Sequence, residues 1–179
     1  MNFLRTVEKM SAVVNKIASH VTIVLLIIMT LIVWAQIFFR FVLGGGLVWS
    51  EEIAKFLMVW MALLGSSVLL AEGGHIAINY FIGKLNFLRY ILMSHAILSA
   101  VLFILLIYYG IDYAAFGYKS IATASGIRKF WPYLSIPVGG VFLLVQAFTR
   151  FVHLLMTNDK TIRAEEEARA RHELLPIVE

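Results

Sequence analysis

Four stretches of the chain are apolar with few interruptions, over residues 21–41, 51–71, 89–111 and 131–153. About 20 helical residues cross a hydrocarbon core of about 30 Å. Backbone groups in lipid must satisfy one another, so each stretch predicts a transmembrane helix. Barrel strands would be shorter and would alternate apolar and polar side chains. Polar positions gather between the stretches and at their ends. The run "LGGGL" at 43–47 predicts a tight turn between the first two spans. The expected fold class is therefore all-α integral membrane, with four transmembrane helices in a membrane domain over 21–156.

The two ends have patterns of their own. Phe3, Val7, Met10, Val14, Ile17 and Val21 recur at helical spacing, with Arg5, Glu8, Lys9 and Lys16 elsewhere on the turn. Residues 1–20 thus read as an amphipathic N-terminal helix lying on the cytoplasmic surface, or as an extension of span one. Residues 157–179 read as a charged cytoplasmic tail. The N-terminus lacks the short apolar core and small-residue cleavage site of a signal peptide, so span one is expected to persist. Arg5, Lys9, Lys16, Lys84, Arg89, Arg150, Lys160, Arg163, Arg169 and Arg171 flank the spans on one side. Arg40, Lys119, Arg128 and Lys129 flank them on the other, with Lys55 just inside span two. The larger basic set predicts that both termini are cytoplasmic.

Composition narrows the functional classes. The chain has 179 residues, 61% of them hydrophobic and 15% charged. Its mean hydropathy is +0.87. A soluble domain of this length cannot hide so much apolar surface. The net charge of +4 fits basic cytoplasmic loops better than nucleic-acid binding. Without cysteine there is no disulfide, thiolate metal site or thiol nucleophile. No hydrolase elbow, phosphate-binding loop, metal helix or nucleotide fingerprint is present. Asp112 stands alone, so an enzyme, a resident cofactor and a metal site are not expected. His20, His75, His95 and His153 fall toward the cytoplasmic ends of the spans. Imidazoles at one depth can ligate a haem b, which makes a haem- or quinone-binding anchor of a respiratory complex the alternative reading.

The start of span two concentrates the candidate chemistry. Ser50 suits an N-cap, and Glu51 and Glu52 suit the positive end of the helix dipole. Trp49 suits the membrane boundary. Lys55 lies within reach of both carboxylates along the helix. Below it Met58, Ala62, Gly65, Ser66 and Leu69 form a face with small residues in its middle, which predicts packing against protein. Span one presents Thr22, Leu26, Met29, Val33, Gln36 and Arg40 at helical spacing. Arg40 is expected either to clamp Glu51 or Glu52 or to snorkel without a fixed partner. Span four carries Ser135, Gly139, Phe142, Gln146, Arg150 and His153 on one stripe, with Pro137, Gly139 and Gly140 positioned to kink it.

The run "RFVLGGGLVWSEEIAKFLMVWMALLGSSVLLAEGGHIAINYF", residues 40–81, resembles the signature region of the small membrane subunit of TRAP (tripartite ATP-independent periplasmic) transporters, the Q or DctQ-type subunit. The matching features are Arg40-Phe41, Trp49-Ser50-Glu51-Glu52, Lys55, the Trp60 to Gly65 segment and Gly74-His75-Ile76. The later "WPYLSIPVGG" is similar to the family's final span. Glu72-Gly73 stands where the family often has a basic residue. The resemblance implies a bacterial inner-membrane protein that partners a large membrane subunit and a periplasmic binding protein. It implies secondary, sodium-coupled uptake of an organic acid such as a C4-dicarboxylate, sialic acid or another sugar acid. It implies a scaffold role here, with substrate and sodium sites in the large subunit. Arg40, Trp49, Ser50, Glu51, Glu52, Lys55, Gly65 and His75 are then candidates for a subunit interface or a helix clamp. His75 either ends span two or bonds the large subunit.

Overall fold

The computed structural model describes residues 2–72 and 88–157, with 161, 162 and 164 beyond them. His75, the Gly74-His75-Ile76 step and nearly all of the charged tail lie outside the described residues. Four helical stretches are long and apolar enough to cross a membrane. They are α1 (Asn2–Val42), α2 (Val48–Glu72), α3 (Leu88–Gly117), and a fourth made of α4 (Phe130–Tyr133) and α5 (Ser135–Met156). The described residues hold no strand, only an isolated bridge between Ile121 and Arg128.

Helix α1 has 41 residues. At 1.5 Å per residue it is about 60 Å long, twice the hydrocarbon thickness. It runs unbroken through residue 20, so the N-terminal segment extends span one. Its buried face is not the apolar one. Ser11 and Ala18 are buried, and Asn15 and Thr22 are half-buried between and beyond them. Met10, Val13, Ile17 and Val21 are exposed. This inversion of the water-soluble rule follows from the solvent. Lipid tails welcome apolar side chains, so helices meet through small and polar ones.

Helix α5 lies at the centre and packs against α1, α2 and α3. Of the four spans, the one containing α5 has the largest buried share. Glycines allow that close approach on two sides. A Cβ at Gly139 would stand 2.6 Å from the Leu63 Cβ of α2, and one at Gly140 would stand 2.8 Å from Ile107 Cγ1 of α3. From α3, Gly110 meets Ile136 and Pro137 equally closely. Successive glycines of α5 thus let two different neighbours approach its backbone.

Helices α4 and α5 meet at Leu134, whose φ of −60° and ψ of −22° stay in the helical region. Pro137 has no N–H to donate to Tyr133, four residues back, so the regular ladder lapses there. The Ser135 hydroxyl donates to the Pro132 carbonyl at 2.6 Å, next to the Tyr133 carbonyl that Pro137 leaves without an amide donor.

Candidate functional site at the start of helix α2

The turn after α1 is built as the glycine run implies. Gly44 takes φ 67°, a left-handed backbone that favours glycine. The amides of Leu43 and Gly45 both donate to the Phe39 carbonyl, at 3.2 and 3.3 Å. Helix α2 then begins at Val48, two residues before the expected cap. Ser50 is consequently inside the first turn, wholly buried. Its hydroxyl donates back to the Leu47 carbonyl at 2.6 Å rather than accepting from the helix. This corrects the N-cap expectation: once Val48 is helical, the Ser50 side chain faces an acceptor, not the orphan amides.

The two carboxylates have different partners, and neither is Arg40. Glu51 Oε1 accepts from Gln36 Nε2 at 3.1 Å. Glu52 Oε2 accepts from the backbone N–H groups of Ala124 and Ser125, at 3.1 and 2.7 Å. Gln36 is half-buried on the inward stripe of α1, whereas Arg40 is exposed one turn later, in the last turn of that helix. There its cation suits the negative end of the α1 dipole. The clamp between spans one and two therefore exists but runs through an amide. Glutamine within a long apolar run was the signal for it, because a buried polar group in lipid requires a partner.

Glu52 extends the clamp to a third element. The α3–α4 loop folds on itself through Ala122 N–H to the Ile127 carbonyl at 2.9 Å and Lys129 N–H to the Ser120 carbonyl at 2.9 Å. Gly126, at φ 70°, makes its tip. The Arg128 guanidinium lies 4.7 Å from the Tyr118 ring centroid and donates to the Tyr118 carbonyl at 3.2 Å. Glu52 holds two successive amides of this loop. Further along α2, Trp60 Nε1 donates to the Trp131 carbonyl of α4 at 3.3 Å. One helix start thus ties the ends of α1, α3 and α4 into a single rim.

The outer face of α2 is left open within the chain. Glu51, Lys55, Met58, Ala62, Ser66 and Leu69 are all exposed along it. Gly65, one position round, faces inward, with Thr22 Cγ2 of α1 at 3.9 Å from where its Cβ would be. The stripe expected to pack on protein does not pack on this chain. Trp49 is 40% exposed beside it.

At the opposite end of the bundle, Ser11 donates to Gln146 Oε1, and Gln146 Nε2 returns a bond to the Ser11 carbonyl at 3.3 Å. Gln146 had been placed on the α5 stripe by spacing, but Ser11 as its partner had no signal in the sequence. His20 Nδ1 lies 2.7 Å from the Lys16 carbonyl of its own helix. His95 and His153 also have partners. Among the described residues no three His, Asp or Glu side chains are grouped to hold a metal ion.

Four spans long and apolar enough to cross a membrane, with polar groups tying helix to helix, define a multi-pass membrane protein. Residues 29–157 match the family described as tripartite ATP-independent periplasmic transporters, DctQ component. The chain belongs to this family, and is a small permease subunit of the TRAP type in the bacterial inner membrane. It is 27% identical over 145 residues to the sialic acid TRAP transporter small permease protein SiaQ of Vibrio cholerae, covering 80% of this chain and 84% of that one. It is 28% identical over 150 residues to the sialic acid TRAP transporter permease protein SiaT of Haemophilus influenzae, covering 83% of this chain but 24% of that protein. A putative TRAP transporter small permease protein of Haemophilus influenzae is 28% identical over 72 residues, 40% of this chain and 45% of that one.

Proposed function

We propose that this chain is the scaffold subunit of a sodium-coupled TRAP transporter. It braces a large membrane subunit and supports docking of a periplasmic binding protein during uptake of an organic acid. The observation that carries this reading is the outer face of α2, charged at Glu51 and Lys55 and small at Ala62 and Ser66. Small residues gain little from lipid and much from a helix packed closely against them. The SiaT protein supports a large partner, since a segment like this chain makes up 24% of a much longer polypeptide there. The names of the SiaQ and SiaT relatives favour sialic acid within the organic-acid class.

The basic-residue balance supports an orientation with both termini in the cytoplasm and the Glu52-tied rim at the periplasmic face. The loop from Tyr118 to Lys129 then stands where a binding protein arrives. Arg40, Trp49 and Lys55, exposed at that level, are the side chains available to meet either partner.

A photoreactive benzophenone side chain at Ala62 or Ser66 tests the packing of this face in native membranes. The expected product is a covalent adduct with a large membrane protein encoded alongside this chain. Adducts with lipid alone at both positions would reject the docking face.

A further inference from the structure

The loop between α3 and α4 has an outer flank that the Glu52 tie does not use. Its bridge sets Ile121 opposite Arg128, and residues opposite each other share a face. Both are exposed, as is Lys119 two residues earlier. Their neighbours turn inward: Ala122 is buried, and Ser120, Ile127 and Lys129 are half-buried. Residues 118–129 hold three cations and no carboxylate. Asp112, the nearest acid in sequence, lies more than a helical turn before the end of α3. Arg128 spends one N–H on the Tyr118 carbonyl while it lies over the Tyr118 ring. Its other N–H groups have no acceptor among the described residues.

We propose that this flank binds the phosphate headgroup of an anionic phospholipid at the membrane surface. Lys119 and Arg128 supply the charge and the donors. The flank is also apolar where a lipid would be. Ile121 is 60% and Trp131 61% exposed, and Tyr113, Phe116 and Tyr118 are exposed beside them. Aromatic side chains interleaved with cations suit a boundary between acyl chains and headgroups. A headgroup that carries an ammonium as well finds no carboxylate on the loop to receive it.

Depth identifies the source as lipid. The fourth span, Phe130–Met156, has 27 residues, about 40 Å of helix. That matches a bilayer with its headgroup layers, about 40–45 Å. The loop leads directly into Phe130, so it stands at headgroup level. Helix α3 packs on α4 and α5, and is exposed elsewhere at Leu105, Tyr108 and Ile111. The flank therefore continues a surface that faces acyl chains. The site is independent of the transport reading and needs only that the chain spans a bilayer.

The chain lacks cysteine, so Ile121→Cys can carry a bimane dye as a single label. The test uses the full labelled chain in nanodiscs of phosphatidylcholine. A small share of the lipid is replaced by phosphatidylglycerol, or by phosphatidylcholine, with a quenching nitroxide near the top of an acyl chain. Both should quench the dye, and phosphatidylglycerol should associate at least about fivefold more strongly, the scale of one cation beside an anionic surface. This comparison is made within one protein and needs no variant to fold. Lys119→Gln with Arg128→Gln should bring the ratio close to one while phosphatidylcholine still quenches. Free glycerol phosphate, which lacks acyl chains, should leave the ratio unchanged. Equal quenching by the two lipids would overturn the proposal, as would a preference that survives the double substitution or is abolished by free glycerol phosphate. Absence of quenching by either lipid would also overturn it, because the flank would then face water or protein.

Discussion

The glycine pair in α5 gives a sharp quantitative expectation. A Cβ at Gly139 would lie 2.6 Å from Leu63 Cβ and 3.3 Å from both Leu63 Cγ and Cδ1. The nearest atom is anchored directly to the α2 backbone, so no rotamer change of Leu63 relieves the clash. The helices must separate by about 1 Å to restore ordinary contact, which sacrifices part of the attraction along the seam. Overpacking of this kind costs about 1–3 kcal/mol. Alanine returns about 1 kcal/mol through its better helix propensity. The net for Gly139→Ala is a destabilisation of up to about 2 kcal/mol. At about 2–4 °C per kcal/mol for a chain of this size, the melting temperature in detergent falls by up to about 8 °C. Gly65→Ala is the matched control. Its Cβ would meet only Thr22 Cγ2, at 3.9 Å, so it keeps the propensity gain without the clash and melts at or above the wild type. Fluorescence-detected size exclusion after heating reads both. If Gly139→Ala melts as high as the wild type while Gly65→Ala melts lower, the α2–α5 seam is not where it is described.

Glu52→Ala should speed hydrogen exchange at the amides of Ala124 and Ser125, which the carboxylate holds, and leave mid-helix amides of α3 unchanged. A double-mutant cycle of Ser11→Ala and Gln146→Ala, read by the same thermal assay, should give a coupling of about 0.6–1.7 kcal/mol, the range for interhelical bonds in membranes. Gln36→Leu should cost more stability than Arg40→Leu, because Gln36 and not Arg40 bonds Glu51. The reverse order would restore the arginine clamp.

The four spans were legible because length and hydropathy are all that a bilayer demands of a crossing helix. Which side of each helix faces inward was less so. On α1 the evenly spaced apolar residues Met10, Ile17 and Val21 drew attention, yet the packed face is Ser11, Asn15, Ala18 and Thr22. Periodicity finds a face; only the solvent decides whether it is the inner one. The polar rim was half visible. Glu51, Glu52 and Lys55 stood out because charge in an apolar run is costly. The partners of Glu52 did not, because Ala124 and Ser125 contribute backbone amides, which have no signature in side-chain identity. The early start of α2 is a similar case: it turned Ser50 from a cap into a buried back-bonding hydroxyl. The open stripe at Met58, Ala62 and Ser66 was foreseen as a packing face, and on this chain it remains unoccupied.

The central claim is that this subunit supports transport without performing it alone. Proteoliposomes with an inward sodium gradient test it directly, loaded with the chain alone or with its large membrane partner, and supplied with binding protein and radiolabelled sialic acid. Sodium-dependent uptake is expected only when both membrane components are present, and should fall when a bulky residue such as tryptophan replaces Ala62 or Ser66 on the α2 face. Uptake by the chain alone, or full uptake by the large partner without it, would contradict the account.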